Sequence, residues 1–465
     1  MNGPQYSKSI LLVGVSALIA SFPATGAADA VVDFSEIVRL SPEGRLAITP
    51  DLAVDATGQV HVLWVDKGPD DTALAPQDSP EIESEAGAQL HGDRPSHPAF
   101  NDLYHRRFSP SSFENRLSEP VRVNSEQGEV WGTSVSKPQI DIGPDGALHV
   151  LFTGHQNLGS GKNSVVARYT RSIDEGHSFE IARTLNSGAN NDLSGIMHGG
   201  FTAAHTFGTV LATQNDDVHV FWIDTRFMDE SDTAGALFSA VSRDGGETFE
   251  KDRPIFEDST CVCCQLAAGE ADAAIFLASR RTYPGGYRDA AIVMSKDQGR
   301  SFDAPVRVGE GRWEIAGCPL KRIDVATRGN YVHTASYTSG REPTGVYLSR
   351  SIDGGVTYEE PLLVHAEARI ADSPSVVADD QGRVYVVWHA KTVGPRRLFL
   401  RFSTDNGQTY SGPIAVPTPE GTAAYPEIAA ASDGSAHIAW QQGNAVNMMS
   451  VTLRQKRLAI LNVTQ

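Results

Sequence analysis

The sequence is poor in basic residues, and it lacks the short motifs that mark nucleotide, metalloprotease and serine-hydrolase sites. Its 465 residues include 39 Lys and Arg against 57 Asp and Glu, a formal net charge of -18 at pH 7. Such an acidic surface repels nucleic acid and anionic membranes, so neither is expected as a partner. No Gly-rich phosphate loop, H-E-x-x-H or G-x-S-x-G occurs, so P-loop, zincin and α/β-hydrolase chemistry are not expected.

Only the N-terminus carries a sustained apolar run, so no integral membrane span is expected beyond it. Lys8 precedes an apolar core at residues 10–20, and the small residues Ala27, Ala28 and Ala30 follow it. The pattern predicts a secretory signal peptide over residues 1–30, cut around Ala27 to Ala30, with a membrane anchor as the alternative. The mature chain is therefore expected to be secreted or periplasmic.

One eight-residue pattern, Ser-x-Asp-x-Gly-x-[Ser/Thr]-aromatic, occurs five times. Its Asp residues are Asp174, Asp244, Asp297, Asp353 and Asp405. A tight turn needs these residue types, because the Asp carboxylate accepts hydrogen bonds from backbone N–H groups of the turn and Gly adopts a positive φ. We therefore predict a repeated structural turn.

The repeated turn resembles the Asp box, or BNR repeat, of the sialidase-like β-propellers. The resemblance implies an all-β fold with one four-stranded blade for each repeat. Before the turns, paired apolar strands recur, and the first strand of each pair is expected near Ile48, Lys137, Ala203, Val262, Cys318, Ser373 and Tyr425. This count predicts seven blades, with six, as in true sialidases, as the alternative. The segment from Val31 to Leu40 is expected to close the ring as an N-terminal strand.

The resulting domain prediction is simple. Residues 31–465 are expected to form a single β-propeller domain with an acidic insertion at 68–101, and the chain is expected to be a monomer. A loop of that length is usually either functional or disordered.

A ligand site is expected on the face opposite the repeated turns, where the loops that enter and leave the inner strands converge. Candidate ligand-binding residues there are Arg226, Arg280, Arg281, Arg341 and His198. Arg side chains suit carboxylates, so the expected partner is an acidic glycan or glycoconjugate. The alternative is that these Arg side chains pair with nearby Asp and Glu.

The resemblance also implies a reaction, since sialidases use a Tyr nucleophile with supporting acidic residues. Tyr425, Glu314 and Asp224 are the candidate catalytic residues in this sequence. Ile48, however, stands where the first of three substrate-binding Arg residues of that family belongs. The chain is therefore expected either to cleave an acidic glycan as a sialidase-type exo-glycosidase or only to bind it.

The chain has four cysteines, Cys261, Cys263, Cys264 and Cys318. Their C-x-C-C and G-C-P contexts resemble a group of bacterial sialidase-like proteins. We expect the four cysteines to cluster. The first alternative is a structural disulfide from Cys318 to Cys263 or Cys264. The others are a copper or zinc site with His198 nearby and a redox-active pair of cysteines. The alternative functions are thus a non-hydrolytic propeller with a structural or metal-binding cysteine cluster, and a protein-interaction scaffold.

Overall fold

The computed structural model describes residues 30–69, 101–111, 116–133, 136–159, 162–188, 205–228, 234–315, 319–368 and 370–455. Strands are the only regular secondary-structure elements in these ranges, so the all-β class is confirmed for them. Within the same ranges there is no helix of the length and apolarity that a membrane crossing needs. The predicted signal peptide and most of the predicted acidic insertion, residues 1–29 and 70–100, lie outside the described residues.

The strands are short and rich in Val, Ile and aromatic residues, as extended segments require. In chain order the first fourteen are β1 (Ala30–Phe34), β2 (Val38–Arg39), β3 (Arg45–Val54), β4 (Val60–Pro69), β5 (Asp102–Phe108), β6 (Val121–Arg122), β7 (Gln139–Ile142), β8 (Leu148–Gly159), β9 (Lys162–Ser172), β10 (Arg183–Thr184), β11 (His205–Ala212), β12 (Val218–Asp224), β13 (Gly235–Ser242) and β14 (Arg253–Thr260). The others are β15 (Ala267–Ala271), β16 (Ala274–Tyr283), β17 (Tyr287–Ser295), β18 (Val306–Arg307), β19 (Ile323–Arg328), β20 (Tyr331–Thr338), β21 (Gly345–Ser351), β22 (Leu362–Leu363), β23 (Ile370–Ala378), β24 (Val384–Lys391), β25 (Arg397–Ser403), β26 (Ile414–Ala415), β27 (Ala423–Ala430), β28 (Ala436–Gln442) and β29 (Ala445–Gln455).

Consecutive strands pair antiparallel, so each sheet is a meander. Four sheets have four strands each, namely β3 to β6, β7 to β10, β19 to β22 and β23 to β26. A fifth sheet joins β27, β28 and β29 to the N-terminal strands β1 and β2. Val31 pairs with Arg454, and Val38 pairs with Met448, so the N-terminal segment covers the edge of the last sheet.

The predicted number of blades is wrong, both as seven and in the alternative of six. Five sheets in the described residues have the size of a separate blade, whereas β11 to β18 form one continuous eight-stranded sheet. The two halves of this sheet are joined where Thr260 of β14 pairs with Arg281 of β16. Repeat spacing counts turns along the chain, and it does not detect a strand pairing that joins two neighbouring units.

The first strands of successive units surround a common axis. β3 packs against β7, β7 against β11, β11 against β15, β15 against β19, β19 against β23, β23 against β27, and β27 against β3. Between neighbouring sheets the core contains the fully buried side chains of Trp64, Trp222, Trp388 and Trp440. Each Trp packs against residues of the preceding sheet, as Trp440 does with Tyr385 and Leu400. This packing holds the strand ring in place.

The repeated turns have the hydrogen bonds expected of their residue types. In the first, the Asp174 carboxylate accepts from the Ser178 amide at 2.9 Å and the Ser172 hydroxyl at 2.7 Å. The amide of Gly176, with φ of 78°, donates to Ser172 Oγ at 2.8 Å. The other four turns repeat these contacts. They lie beside the hairpin turns, since the Asn406 amide donates to the Gly382 carbonyl at 2.8 Å.

Candidate functional site

A β-bulge interrupts several first strands at equivalent places. The pairing register shifts there, and a non-glycine residue has a positive φ, as at Thr49 (48°), Phe207 (55°), Ser373 (49°) and Tyr425 (52°). This conformation is uncommon for such residues and is concentrated at functional sites. A bulge also changes the direction of the neighbouring side chains.

The bulges border a cavity at the axis of the strand ring. It is lined by Thr49, Lys137, Gln265, Leu320, Arg322, Ser373, Tyr425 and Glu427. Its cavity volume is about 30 Å³. These residues come from or directly precede β3, β7, β15, β19, β23 and β27, so residues far apart in the sequence meet here.

Buried charged residues form the wall of this axial cavity. Lys137 forms ion pairs with Glu427 and, at 3.6 Å, with Asp51. Arg322 contacts both carboxylate oxygens of Glu427 at 2.5 Å and Asp324 at 3.2 Å. We call these five residues the axial charge network. It ties β3, β19 and β27 together across the ring.

The pKa values of two carboxylates in this network shift in opposite directions. It raises the pKa of Asp51 to about 7, although Lys137 opposes the shift. Burial also pushes the pKa of Glu427 upwards, but Arg322 and Lys137 outweigh it and hold that pKa below its usual value. Glu427 is therefore ionised at neutral pH, and Asp51 is divided between its protonated and ionised forms.

Tyr425 lies beside a buried histidine. Its amide donates to His389 Nδ1 at 3.1 Å, and the two rings meet edge to face with centroids 5.3 Å apart. Burial lowers the pKa of His389 to about 4, although Asp372 opposes the shift. The imidazole is therefore neutral at pH 7, with Nδ1 as a hydrogen-bond acceptor.

A partly buried ion pair lies next to these rings. Lys321 Nζ is 2.5 Å from Asp372 Oδ2, and Asp372 Oδ1 accepts from the Ser373 amide at 2.7 Å. Burial lowers the pKa of Lys321, but Asp372 outweighs it and leaves the pKa raised. The charge of Tyr425 adds to the same rise in the pKa of Lys321.

An aromatic cluster continues from this ion pair. Lys321 Nζ lies 4.8 Å from the ring centroid of Tyr337, and Tyr337 meets Trp313 edge to face at 5.3 Å. Arg280 lies over Trp313 at 5.2 Å and donates to the carbonyls of Arg288 and Tyr337 at 3.0 and 2.8 Å. Lys321, Tyr337, Trp313 and Arg280 thus form a continuous series of cation–ring and ring–ring contacts, in which Arg280 is only 1% exposed.

Three of the four cysteines lie together between β14 and β15. The sulfur of Cys261 is 3.8 Å from those of Cys263 and Cys264, and all three side chains are buried. Hydrogen bonds from Cys263 and Cys264, with the charge of Arg288, hold the pKa of the Cys261 thiol well below its usual range. Burial raises the pKa of Cys264 to about 12. We call these three residues the cysteine trio.

Two of the residues predicted for the ligand face lie in a closed ion-pair network. Asp224 is fully buried, and it accepts hydrogen bonds from Arg226 Nη2 at 2.6 Å and from Trp222 Nε1 at 2.9 Å. Arg226 also pairs with Asp252 at 2.9 Å. Burial raises the pKa of Asp224, but His205 and Arg226 outweigh it and leave it at about 2. Asp224 is therefore ionised at neutral pH and held away from solvent.

Apart from Tyr425, the other predicted residues that the structure describes lie away from the axial cavity, although Arg280 and Arg341 line a second pocket together. Glu314 is exposed and bridges to Tyr287, and Arg341 pairs with Glu360. Arg281 lies over Phe256 at 4.5 Å and is near the Thr260 hydroxyl. His198 and Cys318 are outside the described residues, so the expected disulfide from Cys318 and the nearby His198 are untested. Of the predicted residues, Tyr425 lines the axial cavity and Arg280 contacts the aromatic cluster.

The sequence reasoning missed the charged residues at the axis. They are Asp51, Lys321, Arg322, Asp372 and Glu427. A signal was present, because a proline directly follows the bulge residue in Thr49-Pro50, Ser373-Pro374 and Tyr425-Pro426. In two of these cases the residue after the proline contacts the next first strand: Asp51 accepts from the Ile140 amide at 2.8 Å, and Ser375 Oγ accepts from the Ile428 amide at 3.3 Å.

No protein-family model matches the chain, and no curated protein matches it. Solved structures do match. A polysaccharide lyase of family PL25, an ulvan lyase bound to -[GlcA(1-4)Rha3S]-, has a TM-score of 0.51 at 13% identity, covering 88% of this chain and 94% of its own. A protein of unknown function from Dyadobacter fermentans has a TM-score of 0.50 at 14% identity, covering 91% and 99%. The Hadza microbial sialidase Hz136 has a TM-score of 0.47 at 15% identity, covering 91% and 96%. At such identities, what the chain shares with the lyase and the Dyadobacter protein is the β-propeller fold.

Proposed function

We propose that this protein is a carbohydrate-active β-propeller that binds an acidic glycan at the mouth of its strand ring. The observation that carries the proposal is the contact of Lys321 Nζ with the Tyr337 ring at 4.8 Å, in the segment whose residues Leu320 and Arg322 line the axial cavity with Tyr425. An ammonium group suits a uronate or sialate carboxylate, and aromatic rings offer apolar surface to sugar rings. A solved structure with the same fold is a lyase bound to -[GlcA(1-4)Rha3S]-, which supports this substrate class.

Tyr425 is the proposed proton-transfer group. Its backbone is held by the His389 hydrogen bond and its side chain lines the cavity. A phenol beside a cation can act as a general acid or base on a bound sugar. The sialidase-type arrangement has less support, because Asp224 is fully buried and Glu314 is exposed on another unit.

The test uses the purified mature chain with polyglucuronate, an ulvan-type polysaccharide and sialyllactose. Binding is measured by calorimetry, and turnover by the ultraviolet absorbance of unsaturated uronate, by reducing ends and by free sialic acid. Lys321→Met is expected to weaken binding of the acidic glycan at least tenfold, whereas Tyr425→Phe is expected to retain binding and lose turnover.

The matched control is Lys296→Met, because Lys296 is exposed and pairs with Asp303 next to a repeated turn. It should bind the glycan as the wild type does. Failure of the wild type to bind any of the three substrates would refute the proposal. Binding without turnover would leave a glycan-binding function and remove the role of Tyr425.

A second candidate function is metal binding at the cysteine trio, because three buried thiols lie within 4.8 Å of one another. Copper and zinc are the proposed cofactors. This role needs neither a glycan nor turnover, and it fits a non-hydrolytic propeller.

We also propose that the chain is exported, on the strength of its N-terminal pattern of Lys8, an apolar core and small residues. N-terminal sequencing of the protein from its native host tests this. A mature terminus near Ala27 to Ala30 is expected, and a chain that retains Met1 would contradict it.

A further inference from the structure

The segment that carries the cysteine trio is fixed at both ends. The Cys261 amide donates to the Arg280 carbonyl at 2.9 Å, and the Leu266 amide donates to the Phe207 carbonyl at 3.0 Å. Between these points the three cysteines are 0%, 5% and 1% exposed. These two hydrogen bonds fix the backbone of the segment to β16 and β11, so the three thiols are held close together.

The sulfur separations match a metal site and not a disulfide. A disulfide joins its sulfurs at about 2.05 Å, whereas Cys261 Sγ is 3.8 Å from each of the other two. Zinc–sulfur bonds of about 2.3 Å in a tetrahedral site place the sulfurs about 3.8 Å apart. The two separations from Cys261 are thus those of thiolate ligands around one ion, and all three sulfurs lie within 4.8 Å of one another.

Apolar side chains and an arginine lie around the trio. Phe207, Leu237 and Leu266 belong to the same buried cluster as the cysteines. Arg288 donates from Nη1 to Cys261 Sγ at 3.2 Å. A buried guanidinium aimed at a buried sulfur is well placed to neutralise a thiolate, since Arg stays charged at all relevant pH values.

We propose that Cys261, Cys263 and Cys264 together bind one soft cation, copper(I) or zinc, and that Arg288 offsets the negative charge of the thiolates. This inference rests on the metal-binding candidate and not on the glycan. Thiolate ligands select soft cations. Each thiol that coordinates the ion releases a proton, so three thiolates and a zinc ion carry a net charge of -1, which Arg288 cancels. With copper(I) the site is more negative, and Arg288 matters more.

The first experiment titrates the full mature chain, reduced and stripped of metal, with copper(I) and with zinc in separate series against a competing chelator. We expect one equivalent of at least one metal for each chain. Bound metal should protect Cys261, Cys263 and Cys264 from alkylation, as read by peptide mass spectrometry. Cys263→Ser and Cys264→Ser should each lower the affinity at least tenfold, while circular dichroism shows retained folding. If the wild type binds neither metal, the metal-binding candidate fails.

The second experiment tests Arg288 separately. Arg288→Gln is expected to lower metal affinity by about 10-fold to 100-fold, the range typical of residues that support metal ligands. Arg288→Lys keeps the charge and should recover part of the loss. Arg281→Gln is the matched control, because Arg281 lies on the neighbouring strand and contacts Thr260 and Phe256; its metal affinity should equal that of the wild type. If the wild type binds metal and Arg288→Gln binds it equally well, the role of Arg288 is refuted while metal binding stands.

Discussion

The backbone amide of Tyr425 and the ring of His389 are joined by a 3.1 Å hydrogen bond that requires an unprotonated Nδ1. The contact links the bulge of β27 to β24 in the neighbouring sheet. Since Tyr425 has a positive φ of 52°, the hydrogen bond helps to keep this residue in a conformation that a non-glycine residue resists. The neutral imidazole is therefore part of the structure of the cavity.

The first prediction concerns the pH dependence of stability that arises from His389. Its pKa falls from 6.5 to about 4 on folding because of burial, so the unfolded chain binds the proton first as the pH falls. The stability contributed by neutral His389 is complete above pH 6.5 and is lost between about pH 6.5 and 4, at up to about 1.4 kcal/mol for each pH unit. His389→Gln should remove this slope in chemical denaturation measured across the window.

Tyr425→Phe is the control for His389→Gln, because it retains the backbone amide and the histidine. It should show the slope of the wild type. An unchanged slope in His389→Gln would mean that His389 does not titrate in this range.

Short-range sequence patterns predict part of this site, but they do not predict which distant residues pair with one another. Tyr425 was selected because an apolar strand with a preceding turn places it at the entry of a first strand, and short-range patterns define such positions. The partners of Lys137 depend on ring closure, since Glu427 is 290 positions away in the chain. Arg226 was predicted to bind a ligand, but it already forms an ion pair with Asp224, two residues earlier in the chain. A list of charged residues cannot tell a paired side chain from one that faces the ligand.

The second prediction concerns Asp51. Burial raises its pKa from 3.8 to about 7, so the folded state keeps a proton that the unfolded state releases. Between about pH 4 and 7 this group lowers the stability of the wild type as the pH rises. Asp51→Asn cannot ionise, so the stability of the variant relative to the wild type should rise by up to about 1.4 kcal/mol for each pH unit across that window. Urea denaturation at several pH values measures the difference.

Asp55→Asn provides the matched control for Asp51→Asn. Burial raises the pKa of Asp55, but hydrogen bonds from Thr57, Gln59 and His61 outweigh it and leave the pKa lowered. Asp55 therefore does not titrate between pH 5 and 7, and the stability difference of this variant should be flat there. A flat difference for Asp51→Asn as well would show that Asp51 is ionised throughout.

The third prediction concerns the axial charge network. Arg322 is 13% exposed in its side chain and pairs with Glu427, which is 6% exposed. Arg322→Met leaves buried carboxylates with fewer partners, and removal of one member of a buried pair typically costs about 3–5 kcal/mol. Lys296→Met breaks a pair whose side chains are 65% and 56% exposed and should cost about 0–1 kcal/mol. Equal losses in the two variants would contradict a structural role for the network.

The fourth prediction concerns the repeated turns as structural elements. The Ser351 hydroxyl is fully buried, donates to Asp353 at 2.7 Å and accepts from the Gly355 amide at 2.8 Å. Ser351→Ala leaves that buried amide without an acceptor, which costs about 1–3 kcal/mol. Ile352→Ser, at the adjacent position that is 53% exposed, should change the free energy of unfolding by less than about 0.5 kcal/mol.

Glycan binding at the opposite face should be unchanged in both variants, because the turn lies beside a hairpin turn: the Gly354 amide donates to the Asn330 carbonyl at 2.9 Å. A loss of glycan binding in folded Ser351→Ala would mean that the turn supports the ligand face directly.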